Sequence, residues 1–304
     1  MGARHWDRRT ILRGLALSLA SAAGIPPVRA EGGADQAMAR DAVRSADGTM
    51  ISFGIVGRGP AIVIAHESLE TGDEWRQVAM ALADRFTCFC VDRRGHGKSG
   101  PVGDYGLEKE CEDLNAVLDR AGHDATLMGA SYGAVVAIET AMRFAPDRLI
   151  LYEPPFPLTA TSPVYIALEE SLAPYERLVD ARDLEAALAF GLKNLAGVSD
   201  EAIDELRESS PQIWETMKQL TPTWVPEMHA LRRLPLGVER YRSLQVPTLL
   251  LSGSESADFL RETVMALAAV LGKSRVHVLQ GQGHEAHLSA PEQVSAAIAQ
   301  FVIA

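Results

Sequence analysis

Six predominantly apolar runs of five or six residues punctuate this chain: AIVIA (61–65), FTCFCV (86–91), ATLMG (125–129), RLILYE (148–153), PTLLLS (247–252) and RVHVL (275–279). They are almost continuously apolar rather than alternating, the pattern of strands covered on both faces in a parallel sheet. Between them, residues 73–84, 107–121, 132–145, 258–271 and 290–302 carry helical patterning. Strand and helix in alternation predict an α/β fold with an open, doubly wound, mostly parallel sheet. The preceding segment DGTMISFGIVGRG (47–59) reads as an antiparallel partner at the sheet edge.

One stretch breaks the alternation. Residues 155–245 contain no strand pattern and show helical periodicity near 163–180, 183–195, 200–219 and 224–233, punctuated by EPPFP, AGVSD, TPTW and RLPLG. An insertion of this kind predicts a helical cap (155–245) on a core built from residues 31–154 and 246–304. With 304 residues, 47% of them hydrophobic, the chain has enough apolar material for a core plus an accessory cap. Tyr165, Tyr175, Trp214, Met217, Trp224 and Met228 are expected mostly to form the cap's own core, with a minority facing a cleft.

Residues 1–30 have a different character. DRRTILRG leads through LALSLASAAGI to PPVRA: a basic start, a short apolar stretch and a small-residue end, the layout of a cleaved signal peptide. Arg8 and Arg9 resemble a twin-arginine export signal, and cleavage is expected after Ala30, placing the mature protein in the periplasm or outside the cell. The apolar stretch is too short for a stable membrane span of about 20 residues. The full chain has a net charge of −11; without the five arginines and one aspartate of residues 1–30 it falls to −15. An acidic surface repels phosphate backbones and anionic lipid, so nucleic acid and membrane-surface partners are excluded, and a small-molecule substrate is expected. Cys88 and Cys90 alternate on one strand and should pack in the core rather than pair; Cys111 retains the option of a disulfide. No spacing implies a metal, and no cofactor is implied.

The chemistry centres on GASYG (129–133). Ser131 follows an apolar strand and precedes a helix, where glycines on both sides relieve a cramped turn and the hydroxyl is pushed out at the sheet's carboxyl edge. A base for that hydroxyl is offered by His284, just after the last strand in GQGH (281–284); His287 is better placed to begin the next helix.

IAHES (64–68), DRRGHGKSG (92–100), GASYG and GQGH occur in the order found in α/β-hydrolase-fold proteins, and the chain resembles that family over nearly all of residues 40–304. The resemblance implies a serine hydrolase whose oxyanion hole consists of the backbone N–H groups of Ser68 and Tyr132. DRRGHGKSG lacks phosphate-loop spacing and is read as a brace for the serine turn. Two departures stand out. The glycine usual after the loop histidine is Glu67, a carboxylate that would oppose an oxyanion unless turned away or paired, and that could instead meet a cationic substrate group. The usual acid position, three residues after Gly253, is Ser256. Glu153, at the end of the strand after the serine helix, is the favoured acid, as in one group of haloalkane dehalogenases; Glu255 is the alternative and Asp258 the third candidate. The expected reaction is hydrolysis of a small to medium hydrophobic carboxylic ester through an acyl-enzyme on Ser131. An aminopeptidase, amidase or C–C hydrolase of the same fold, or a non-catalytic exported binding protein on a hydrolase scaffold, are the competing readings.

Overall fold

A computed structural model of the chain describes residues 38–122 and 124–303; the signal-peptide reading of residues 1–30 lies outside them. Among the described residues, eight strands form one sheet in the order β1-β2-β4-β3-β5-β6-β7-β8. They are β1 (Ala39–Arg44), β2 (Met50–Gly57), β3 (Ala61–Ala65), β4 (Thr87–Val91), β5 (Thr126–Ala130), β6 (Arg148–Tyr152), β7 (Thr248–Gly253) and β8 (Ser274–Leu279). β1 and β2 pair antiparallel, β2 pairs antiparallel with β4, and β3 to β8 run parallel. The segment expected at the sheet edge is thus second in order. The edge is β1, whose sequence ARDAVR is too polar to announce a strand and which is held by its full register against β2.

Helices cover both faces. α1 (Arg76–Leu82), entered through a single 3-10 turn at Gly72–Trp75, lies on one side; α2 (Leu107–Ala121) and α3 (Tyr132–Phe144) lie on the other. Alternate strand residues serve the two layers. Val63, Phe89, Leu127 and Leu151 face α2 and α3, while Ile62, Cys88, Met128 and Ile150 face α1 and the C-terminal helix. Cys88, Cys90 and Cys111 are free and buried, so the disulfide option for Cys111 is not used.

Between β6 and β7 come α4 (Pro163–Asp180), α5 (Leu184–Asn194), α6 (Asp200–Ser209) and α7 (Pro211–Arg233). The expected break at TPTW is absent, and the break falls instead at Ser210. α7 runs through Pro222 and Pro226. Pro222 has no N–H for the carbonyl of Lys218, and the Thr221 hydroxyl donates to that oxygen at 2.9 Å. Tyr175 of α4 donates to the Thr221 carbonyl at 2.8 Å, tying the two helices together. After β7, α8 (Asp258–Val270) leads to β8, and α9 (Ala286–Ser289) and α10 (Pro291–Ile303) follow it. Among the described residues no helix is long and apolar enough to cross a membrane.

Candidate active site

Ser131 sits between β5 and α3 with φ 48° and ψ −121°, a conformation non-glycine residues rarely adopt and that costs on the order of 1–3 kcal/mol. Its N–H donates to the Tyr152 carbonyl at 2.8 Å, anchoring the turn to β6. The flanking glycines are obligatory: a Cβ at Gly129 would lie 2.1 Å from the Gly133 oxygen, and one at Gly133 would lie 2.3 Å from the His66 oxygen. Side chains there would collide with backbone that cannot move without dismantling the turn.

His284 follows β8, and its Nδ1 lies 2.7 Å from Glu153 Oε2. Tyr152, the last residue of β6, donates its hydroxyl to the Gly283 carbonyl at 2.5 Å and so pins the histidine loop above the sheet. Burial disfavours the charged imidazolium, but the Glu153 hydrogen bond and charge outweigh it, and the His284 pKa is raised above its ordinary value.

Glu153 is fully buried with φ 47°, so it and Ser131 share an uncommon backbone state at the ends of adjacent strands. Its Oε1 accepts from the Ser252 hydroxyl at 3.0 Å and the Gly253 N–H at 2.7 Å. Its Oε2 accepts from the Ser256 hydroxyl at 2.9 Å besides facing His284. Such a set of donors satisfies the lone pairs of a carboxyl group that water does not reach. Of the other two acid candidates, Glu255 is exposed and Asp258 is engaged by Arg261.

Ser68 and Tyr132 line the same cavity as Ser131 and His284. The loop carrying Ser68 is fixed by His66, whose Nε2 accepts from the Arg93 N–H at 3.1 Å, leaving Nδ1 to donate to the Glu67 carbonyl at 2.7 Å. Burial holds His66 neutral, which this pair of bonds requires. The Tyr132 side chain turns aside to meet the Tyr105 hydroxyl at 2.6 Å and receives the Arg93 guanidinium over its ring.

Arg93 belongs to the loop read as a brace, and it is buried between two acids. It donates to Glu110 Oε1 at 2.9 Å and to Glu227 Oε1 at 2.5 Å. Burial opposes its charge, and Glu110 and Glu227 more than compensate, raising its pKa. Glu227 comes from α7, is fully buried, and also accepts from the Ser68 hydroxyl at 2.5 Å. Glu227 is not evident from the sequence; its local signal is an acid inside the apolar face formed by Trp224, Met228 and Leu231.

Glu67 does not turn away. It is 5% exposed, with Oε2 3.5 Å from His284 Nε2. Burial, with repulsion from Glu285, Glu70 and Glu153, holds its carboxyl well above the usual carboxylate range, which limits the negative charge it brings to the site. Behind it, His287 is fully buried, stacked on Trp75 with ring centroids 4.6 Å apart, and bonded through Nε2 to Glu70 Oε1 at 2.9 Å. Burial pushes His287 down to about 4, so its ring is neutral near pH 7.

The cavity above Ser131 measures about 140 Å³ and is walled largely by Val164, Leu168, Leu192, Met217, Trp224 and Met228 of α4, α5 and α7. Three of the six large apolar residues singled out from the sequence therefore face the site; Tyr175 packs edge-on against Trp224, and Trp214 is buried against Glu185. Cavities near 150 Å³ with apolar walls take up a molecule the size of benzene.

Residues 62–297 match the profile described as "Alpha/beta hydrolase family". An alpha/beta hydrolase from Sphaerobacter thermophilus DSM 20745 superposes with a TM-score of 0.77 at 29% identity, covering 86% of this chain and 99% of that one. Over 93 residues the chain is 39% identical to the pimeloyl-[acyl-carrier protein] methyl ester esterase of Methylococcus capsulatus, 31% of this chain and 35% of that protein. Over 114 residues it is 38% identical to an uncharacterised protein of Mycobacterium tuberculosis, 36% of this chain and 33% of that protein. The chain spans about a third of the length of these curated relatives.

Proposed function

Because this chain belongs to the alpha/beta hydrolase family, we propose that it is a serine hydrolase that cleaves small to medium hydrophobic carboxylic esters through an acyl-enzyme on Ser131. The observation that carries this reading is that His284, 2.7 Å from the buried Glu153 carboxylate, lines the same cavity as Ser131. With Nδ1 of His284 engaged by Glu153, Nε2 is the nitrogen left to take the serine proton. Ser131 Oγ attacks the ester carbonyl, and the backbone N–H groups of Ser68 and Tyr132 receive the oxyanion. His284 then protonates the departing alkoxide. Water, deprotonated by the same nitrogen, attacks the acyl-enzyme and releases the acid. The apolar walls and the size of the cavity favour an acyl or alcohol group no larger than a substituted ring. The methyl ester esterase among the relatives agrees with ester chemistry.

We also propose that residues 1–30 direct export and are removed after Ala30; the N-terminal sequence of the exported protein tests this. The function is tested by intact mass after treatment with a fluorophosphonate, beside turnover of p-nitrophenyl esters of increasing acyl length and of an aminoacyl arylamide. A single adduct on Ser131 and preference for short esters are expected. No adduct in folded protein, or preference for the arylamide, overturns the esterase reading.

A further inference from the structure

Glu67, from the loop after β3, meets Glu285 and His287, at the start of α9, behind the candidate active site, with one ligand atom of each lying within 4.8 Å of the others. His287 Nδ1 is 3.8 Å from Glu67 Oε1 and 4.0 Å from Glu285 Oε2. These gaps are too long for hydrogen bonds. They fall below the ceiling of about 4.2 Å for two atoms each about 2.1 Å from a shared metal, and side-chain shifts of about half an ångström would draw them to the roughly 3.4 Å spacing of a tetrahedral shell.

Two further features separate this cluster from a merely acidic corner. Glu67 Oε1 and His287 Nδ1 are buried and have no hydrogen-bond partner among the described residues, yet each faces the other. Buried polar atoms without partners are costly, and one aimed at another across an ionic radius is resolved by a cation between them. The second feature is the far side of the imidazole. Its Nε2 is held by Glu70 at 2.9 Å, so the ring is oriented by a carboxylate through one nitrogen while the other faces the gap. Metal-bound histidines are oriented in this way.

We propose that Glu67, Glu285 and His287 form a divalent transition-metal site beside the active-site cavity, with Glu70 as the positioning residue that aims His287. One imidazole and two carboxylates suit a borderline first-row ion such as Zn²⁺ better than Mg²⁺ or Ca²⁺, which prefer all-oxygen shells. Three protein ligands leave a fourth position for water. Glu67 and Glu285 also line the cavity that holds Ser131, so the site adjoins the reacting groups. It does not depend on Ser131 as nucleophile.

The test is calorimetric titration of ZnCl₂ into untagged, chelator-treated protein, with Co²⁺ absorption and Trp75 emission as independent readouts. Trp75 stacks on His287, so bound Co²⁺ should quench it, and Trp75→Phe should remove that quenching while leaving binding intact. Expected are one Zn²⁺ per chain, unchanged binding in Ser131→Ala, at least tenfold weaker binding in Glu67→Gln and Glu285→Gln, and about 10–100-fold weaker binding in Glu70→Gln. Circular dichroism confirms that each variant is folded. No stoichiometric Zn²⁺, or binding unaltered in both Glu67→Gln and Glu285→Gln, overturns the site. Loss of the esterase reading alone would leave it standing, since none of these readouts uses turnover.

Discussion

The hydroxyl of Ser256 lies 2.9 Å from Glu153 Oε2, so the position three residues after Gly253 supplies a hydrogen-bond donor to a carboxyl group at the end of the neighbouring strand. Glu153 faces the His284 imidazole and Ser256 hydrogen-bonds the same carboxyl oxygen. Glu153→Gln should lower kcat about a thousandfold or more, because the imidazolium formed during turnover loses its counter-charge. Glu255→Gln should change kcat less than twofold. Adding Ser256→Asp to Glu153→Gln should recover at least tenfold. Steady-state kinetics on one p-nitrophenyl ester decide all three, and equal losses at 153 and 255 would contradict the assignment.

Ser131 is strained as well as set on the cavity wall. Ser131→Ala should abolish turnover by about 10⁴-fold or more while the protein stays folded. Ser131→Gly should abolish it equally and also stabilise the chain by about 1 kcal/mol, because glycine tolerates φ 48°. A rise of about 2 °C in Tm is the expected readout; a fall would mean that the turn is not under strain.

The pH dependence follows from His284. Its folded pKa is raised, and only the neutral ring accepts the serine proton. The acid limb of kcat/KM should therefore be centred above pH 6.5, with activity lost as pH falls through it. In Glu153→Gln the charge that helps to raise the value is gone, and any hydrogen bond left is to a neutral amide, so the residual activity should show its limb at lower pH. A limb that stays in place after the substitution would show that Glu153 does not govern the base.

Arg93 and Glu227 join the helical insertion to the core through a buried ion pair. Removing one partner of such a pair strands the other, at about 3–5 kcal/mol. Glu110 remains beside Arg93, so Glu227→Ala should fall at the low end, about 3 kcal/mol, and Glu227→Gln should cost less than half of that. Urea unfolding at constant m-value measures both. An effect below about 1 kcal/mol for the alanine would show that the pair is dispensable.

Much of this site was legible residue by residue. Ser131 announced itself by glycines flanking a serine between an apolar run and a helix. Glu153 did so by placing a charge at the end of an apolar strand, which demands a partner. What stayed hidden depends on contacts distant in sequence. Nothing local says that Ser256 solvates Glu153, that Glu227 reaches Ser68 across 159 positions, or that Glu67 and Glu285 meet at His287. The break expected at TPTW failed for a chemical reason: proline ends a helix when the carbonyl it cannot serve has no other donor, and Thr221 provides one. β1 escaped because an edge strand with three charged residues acquires its identity from its partner.

The Glu227 carboxylate has a consequence for anyone who would treat residues 155–245 as an exchangeable part. Its two oxygens serve a hydroxyl beside the candidate oxyanion hole and a guanidinium from the core. Transplanting another protein's insertion onto this core would transplant away that acid, leaving Arg93 half-matched and Ser68 unrestrained. A seam that keeps the carboxylate and the guanidinium together avoids that loss.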